Sequence, residues 1–131
     1  MFMATLLEDI VSFITANGQV TGDGVDAFRD FTPETPDNIV AIKEYSGDPM
    51  VFGESLTNRS VQLTVRNTDA SISQSKALAI FKLFKSDDFM IHFTSTRWGQ
   101  VHLRQTPFRI STDASNRVTY GFNIGITTTI D

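Results

Sequence analysis

The side chains that could carry chemistry are few and scattered along this chain. His92 and His102 fall on the polar, even-numbered face of a predicted hairpin, and without cysteines or clustered carboxylates nothing completes a tetrahedral metal set. The serines stand where caps and turns use their hydroxyls, and the glycines follow neither phosphate-binding spacing. The adjacent acids at 8–9 and 87–88 are typical of a helix N-terminus and of a turn. We therefore expect no catalytic residue, no metal and no cofactor, which leaves the outward surfaces of the elements as the candidates for function.

Composition narrows the class of protein further. The chain has 131 residues, of which 40% are hydrophobic and 11 are Phe, enough for one domain over residues 1–131 with a substantial core. The formal net charge of -4 supplies no basic field for phosphates and disfavours a nucleic-acid reader. The first residues lack a basic segment, and no apolar run reaches the length of a membrane span. We expect a soluble protein, made in a cytoplasm, whose fold does not depend on disulfides.

The strongest pattern is a strand joined to a helix within Arg59–Phe84. Apolar and polar residues alternate from Ser60 to Asn67, which predicts a strand with one buried face. The period then changes to that of a helix, and Ser71 with Gln74 has the spacing of a capping box. The predicted apolar stripe of this helix comprises Ile72, Ala77, Ala79, Ile80, Phe81, Leu83 and Phe84. Every other segment must pack against this unit.

The N-terminal part predicts another helix and a weak strand. Thr5 and Glu8 form a capping-box pattern, apolar residues follow at helical spacing, and Asn17 with Gly18 supplies a left-handed stop. A short, weakly patterned strand follows near residues 25–28.

The two strands before the core helix are separated by irregular sequence. Two prolines in residues 32–38 predict a turn, and residues 38–46 then predict a strand with Ile39, Ala41 and Tyr45 on one face. Residues 48–58 contain too many turn formers for regular structure.

The C-terminal part predicts a meander. Apolar residues at odd positions from Phe89 to Leu103 predict a hairpin that turns at Trp98–Gln100, because pairing odd with odd positions requires an odd-length loop. The apolar parity changes after Pro107, which predicts a bulge or strand break, and residues 113–116 predict a turn before the longest alternating run. The expected fold is α+β, a mostly antiparallel sheet with two helices packed on one face.

The segment between the second and third predicted strands is unusually apolar for a loop. It carries Met50, Val51, Phe52 and Leu56, so it either folds back onto its own domain or meets a partner. The arginines are dispersed along the strands beside acidic residues, which favours ion pairs within or between subunits.

Three segments carry a resemblance to a known family. They are LLEDIVSFI near the N-terminus, PDNIVAIKEYSG from Pro36 to Gly47, and SVQLTVRN from Ser60 with the helix that follows it. In this order they resemble the small minor capsid or tail terminator proteins of long-tailed bacteriophages, and the resemblance covers the first two thirds of the chain.

The resemblance implies a structural virion protein rather than an enzyme. Such proteins form a hexameric ring on the head-proximal end of the tail tube, stop its polymerisation and join the tail to the head. The implied partners are further copies of the chain, the tail tube protein and the head-neck connector proteins. DNA passes through the ring without specific binding, and we expect the negative charge of the chain to help it slide.

A ring built from heterologous contacts needs two different patches on each subunit. The candidate contact residues are Met50, Val51, Phe52, Leu56 and Trp98. Two alternatives remain: another phage neck or tail component, such as a head completion protein or a tube subunit, and a small ligand-binding module or enzyme.

Overall fold

A computed structural model describes residues 4–45, 56–85 and 90–129. In chain order the elements are α1 (Leu6–Ala16), β1 (Ala27–Arg29), β2 (Ile39–Tyr45), β3 (Leu56–Asn67), α2 (Ala70–Leu83), β4 (Met90–His92), β5 (Trp98–Leu103), β6 (Phe108–Thr112) and β7 (Val118–Thr129).

In the described part of the chain, all seven strands join one sheet. Its order is β1-β2-β3-β7-β5-β4, and β6 also pairs with β7. Among the strand pairs of the described residues, β1 with β2 is the one parallel pair. β5 and β6 therefore lie end to end along one side of β7, whereas β3 runs along its other side. The predicted fold class, a mostly antiparallel α+β sheet, is confirmed.

The central unit is β3 with α2, as the sequence predicted. Val61 and Leu63 of β3 are fully buried and Val65 is nearly so, which confirms the alternation. Beside them α2 places Ala77 and Ile80 with no exposed surface. Both helices share a single cluster with the core-facing side chains of β2, β3 and β7, so they pack on one face of the sheet. That arrangement was also predicted.

A buried serine ties α2 to the two central strands. The Ser73 hydroxyl lies 2.7 Å from the carbonyl oxygen of Val65 on β3 and 3.1 Å from that of Val118 on β7. One hydroxyl has a single proton to donate, so the two carbonyls share it. This contact fixes the first turn of α2 over the junction of β3 and β7.

The two helix N-termini differ in how well the sequence predicted them. Thr5 and Glu8 form the predicted reciprocal capping box at α1. The predicted box at Ser71 and Gln74 is wrong, because the carboxylate of Asp69 caps α2 by accepting from the backbone N–H groups of Ser71 and Ile72. The helix therefore starts earlier, and Ile72 points outward with 52% of its surface exposed instead of extending the stripe.

Ile39, Ala41 and Tyr45 share one face of β2 as predicted, but this is the face of the sheet opposite the helices rather than the core face. Val40 and Ile42 enter the main core, because they pair directly with Val65 and Leu63 of β3. Ile39 and Ala41 are buried too, at 3% and 7% exposure, but on the opposite face of the sheet. Because four consecutive residues of β2 are buried, alternation alone does not show which face of the strand enters the core. The pairing of β2 with β3 determines that face.

Two boundaries move relative to the sequence prediction. β3 begins at Leu56, inside the segment predicted to be irregular, since residues 56–59 pair with the end of β7. The hairpin turns over residues 93–97 rather than at Trp98–Gln100, and Trp98 opens β5 opposite His92. The loop still has odd length, so the predicted parity holds and Ile91 faces Gly99.

The other C-terminal predictions are confirmed. The chain leaves β5 after Leu103 and starts β6 at Phe108, with a register shift between Arg109 and Ser111. A turn over residues 113–116 follows, closed by the Asn116 N–H donating to the Asp113 carbonyl. β7 is the predicted long final strand and pairs with β3 over twelve residues.

Candidate assembly surfaces

The helices cover one face of the sheet, and the other face, the outer face, is polar and partly open. Its side chains follow from strand alternation and pairing register. On the four central strands they are Ile39, Ala41, Lys43 and Tyr45 of β2, Asn58, Ser60, Gln62, Thr64 and Arg66 of β3, Trp98, Gln100 and His102 of β5, and Thr119, Gly121, Asn123, Gly125 and Thr127 of β7. None of these positions carries a carboxylate, so the charges on this set are cationic although the whole chain is acidic.

A shallow cavity of about 210 Å³ opens on the outer face. Phe31 and Ile39 contribute apolar surface, while Lys43, Gln62 and Arg66 contribute polar groups. A second concavity of about 170 Å³ lies further along the sheet beside His102, Arg104 and Gly125. Neither is the deep enclosed pocket with convergent polar groups that a small-molecule site requires.

Two of the five predicted contact residues lie at one end of the sheet. Leu56 opens β3 opposite Thr129, and Trp98 opens β5, so the end of β7 lies between them. Two strand spacings separate β3 from β5, or about 10 Å. Trp98 is 40% exposed and Leu56 is half-buried. Met50, Val51 and Phe52 lie outside the described residues.

The sequence did not single out the apolar groups that are most exposed at the sides of the sheet. Val25 and Phe31, on either side of β1, are 57% and 58% exposed. Phe108 and Ile110 of β6 are each 40% exposed. The change in apolar parity at Phe108 and Ile110 is visible in the sequence, but it does not place β6 in the sheet. Every residue of this strand is exposed, and its pairing with β7 puts it at the side of the sheet.

Arg59, Arg97 and Arg117, three of the dispersed arginines, form ion pairs within the chain, which is one of the two options that the sequence left open. The most buried is Arg97, whose Nε lies 2.5 Å from the Asp9 carboxylate, with side-chain exposures of 4% and 8%. Arg97 also donates to the carbonyl oxygens of Ala4 and Thr129, so it joins the start of α1, the β4–β5 turn and the end of β7. The sequence assigned Asp9 only to the helix dipole.

Two further arginines hold the proline turn against the sheet. Arg66 donates to the carbonyls of Pro36 and Asp37, and Arg117 donates to the carbonyl of Glu34 and to the Asp113 carboxylate. Burial lowers the pKa of Arg66, and repulsion from Arg117 lowers it further. Burial also opposes the charge of Arg117, but hydrogen bonding and attraction to Asp113, with help from Glu34, raise its pKa overall.

Asp113 makes the stability of this region depend on pH. Hydrogen bonds from the backbone and side chain of Arg117, and from the Ser115 N–H, hold the pKa of Asp113 below its ordinary value of 3.8 against the opposing effect of desolvation. A depressed pKa stabilises the fold above 3.8, and the stabilisation is lost as the pH falls through the folded-state value. Asp113→Asn should therefore lower the melting temperature at neutral pH, and the gap to wild type should narrow at an acidic pH well below 3.8.

Thermal unfolding followed by circular dichroism at both pH values checks this expectation. Glu34→Gln is the matched control, because Glu34 also pairs with Arg117 but its side chain is 83% exposed. It should change the melting temperature little. If the difference in melting temperature between Asp113→Asn and wild type stays constant down to low pH, the pKa of Asp113 is not lowered in the folded state.

Gly121 on the outer face allows β7 to approach β3 closely. A Cβ at this position would lie 2.7 Å from the Leu63 carbonyl oxygen and 2.8 Å from Ile110 Cδ1. The backbone atom cannot move without shifting the strand pair, so Gly121→Ala should lower the free energy of unfolding by about 1–3 kcal/mol. Urea unfolding measures it, with Gly22→Ala as control, since a Cβ there meets nothing within 4 Å. Equal effects of the two changes would rule out the close approach.

The described residues offer little for catalysis. They contain no group of three or more His, Cys, Asp or Glu side chains that could hold a metal ion. His92 and His102 are exposed, opposite Trp98 and Gly125 respectively, and do not face each other. No helix in the described ranges is long and apolar enough to cross a membrane.

An α+β sheet with one covered face, one open face and exposed aromatic groups at its sides presents surfaces that suit contacts with other proteins. A family model described as bacteriophage tail terminator protein matches residues 13–130, and the chain belongs to this family. The resemblance seen in the sequence is thereby confirmed. The protein is a structural component of the phage tail and hence of the virion. No curated protein matches the chain.

Proposed function

We propose that the protein forms a closed hexameric ring at the head-proximal end of the tail tube, where it stops tube polymerisation and joins the tail to the head. The observation that carries this proposal is the family match over residues 13–130. The ring would form in the host cytoplasm and become part of the virion. Its partners are further copies of the chain, the tail tube protein and the head-neck connector proteins.

The surfaces of the subunit suit such an assembly. A ring of identical subunits with one rotational axis uses two different patches on each subunit. Exposed aromatic side chains occur near both sides of the sheet, at Phe31 beside β1 and at Trp98 and Phe108 on β5 and β6. Aromatic groups are enriched where proteins contact each other. We propose Leu56 and Trp98, with Met50, Val51 and Phe52, as part of these contacts.

We also propose that DNA passes through the ring without specific binding. The net charge of -4 favours repulsion of phosphates on the scale of the whole ring. The outer-face strand positions named above carry no carboxylate, so a channel lined by that face would attract phosphates. Repulsion of DNA therefore requires that a different surface of the subunit face the channel. The acidic groups must then line the channel, a prediction that a structure of the ring on its tube would test.

The direct experiment combines light scattering with electron microscopy. The mass of the purified protein is measured alone and with tail tubes, and the position of bound protein on the tubes is then imaged. A sixfold mass, or density confined to one tube end that halts elongation, is the expected result. Helical stacking of rings would indicate a tube subunit, whereas a monomer that ignores tubes would overturn the proposal.

A further inference from the structure

The β1 side of the sheet is acidic and carries two exposed apolar groups. We call this surface the acidic edge, formed by Asp23, Val25, Asp26, Asp30 and Phe31. It surrounds β1, where Arg29 supplies a single compensating charge through its pair with Asp23. The pKa of Arg29 is raised by the hydrogen bond from its side chain to Asp23 and by attraction to nearby acids that include Asp30. The edge therefore keeps a net negative charge next to Val25 and Phe31.

The other side of the sheet has the opposite charge. We call it the cationic edge, formed by Phe108, Arg109 and Ile110 of β6 together with His102 and Arg104, which lie beside them on the outer face. The sequence contains no carboxylate from Met90 to Thr112. Arg104 extends over Gly125 of β7 and donates to the Ser60 hydroxyl of β3. Arg109 donates to the Thr112 hydroxyl, so both guanidinium groups have neutral partners among the described residues. Phe108 and Ile110 place exposed apolar surface between these charges.

The two edges do not neutralise each other within one subunit. In the sheet order, β2, β3 and β7 separate β1 from β5 and β6. No ion pair joins the two edges among the described residues. Each edge combines one sign of charge with exposed apolar side chains, so the surfaces are complementary in both respects.

We propose that the acidic edge of one copy docks against the cationic edge of the next copy. The occupant of each surface is thus a second copy of this chain. The contact is heterologous, because two different patches meet, and a repeated rotation closes it into a ring. This inference rests on the proposed ring and adds which surfaces build it.

The test uses two variants with altered charge. Arg104→Glu/Arg109→Glu makes the cationic edge acidic at two exposed positions. Val25→Lys/Asp30→Gly/Phe31→Lys makes the acidic edge basic, and glycine suits position 30 because the backbone there has a φ of 67°. Lys82→Glu/Lys85→Glu is the matched control, since it changes the net charge as much as the first variant at exposed positions near the end of α2.

Each edge variant should need a protein concentration about tenfold or more higher than wild type to assemble, because like charges then meet across the contact. The control should assemble like wild type. Mixing the two edge variants in equal amounts should restore assembly. In an alternating ring every contact then pairs one acidic with one basic surface, and a hexamer has the even number of subunits that alternation requires.

The readouts are light scattering and capping of tail tubes, with circular dichroism melting curves to establish that each variant is folded. Restoration by mixing supports the inference. Folded edge variants that assemble like wild type overturn it while the proposed ring stands. Loss of assembly in the control, or loss that mixing does not restore, also overturns it. A wild-type protein that neither assembles nor binds tubes overturns the proposed function itself.

Discussion

Replacing Arg97 with Met is expected to lower the free energy of unfolding by about 3–5 kcal/mol, the usual cost of removing one partner from a buried ion pair. The substitution leaves the Asp9 carboxylate 8% exposed without the guanidinium whose Nε lies 2.5 Å away. It also removes donors from the carbonyl oxygens of Ala4 and Thr129. A buried charge and unpaired acceptors together explain the size of the effect. Urea unfolding followed by circular dichroism measures it.

Two further variants make this prediction specific. Arg29→Met removes partly exposed ion pairs with Asp23 and Glu8, so it should cost about 0–1 kcal/mol. Asp9→Leu/Arg97→Met removes both buried charges and should recover much of the loss, because the unpaired carboxylate accounts for most of it. An Arg97→Met protein that unfolds like Arg29→Met would contradict the buried pair.

Replacing Phe84 with Ala is expected to cost about 3–5 kcal/mol, as for other large aromatic groups in cores. Phe84 lies just after α2 and is 1% exposed. Its ring lies 5.4 Å from that of Phe13 on α1, 6.2 Å from that of Phe93 and 6.3 Å from that of Phe122 on β7. The truncation leaves a cavity where both helices meet the sheet, and the surrounding rings cannot close it without losing their own contacts.

Phe31→Ala removes the same side chain from a site that is 58% exposed, so it is the matched control. It should cost less than about 1 kcal/mol. The same urea titration measures both proteins, and the denaturant slope should stay constant if only stability changes. Similar losses at Phe31 and Phe84 would show that the aromatic cluster is not the centre of the core.

The sequence predicted most of the elements, since each depends on contacts that are close along the chain. Thr5 and Glu8 cap α1 through a bond between neighbouring turns, and the alternation in β3 reflects a single buried face. The prediction failed where local patterns were ambiguous. Asp69 and Ser71 are both residue types that suit an N-cap. The helix begins at Ala70, so Asp69 occupies the N-cap position.

The candidate surfaces were less predictable. The sequence predicts Trp98 as a contact residue from its place in the expected turn. The structure places it at the start of β5 with 40% exposure, and its role in a contact stays a prediction. The sequence shows that acidic residues cluster around β1 and that basic residues cluster near β6. It does not show that these two clusters lie on opposite sides of the sheet, which depends on the order of the strands. Periodicity does not reveal that order, because β1 and β6 reach their positions by pairing with β2 and β7.

By itself, the sequence determined the two helices, most of the strands, the α+β class and the resemblance to phage tail terminators, because these follow from local spacing and from short segments in a fixed order. Only the tertiary structure decided which face of β2 enters the core, and that Arg97 meets Asp9 across 88 residues. Both depend on strand register, since a shift of one residue would exchange the two faces of a strand and separate the paired charges.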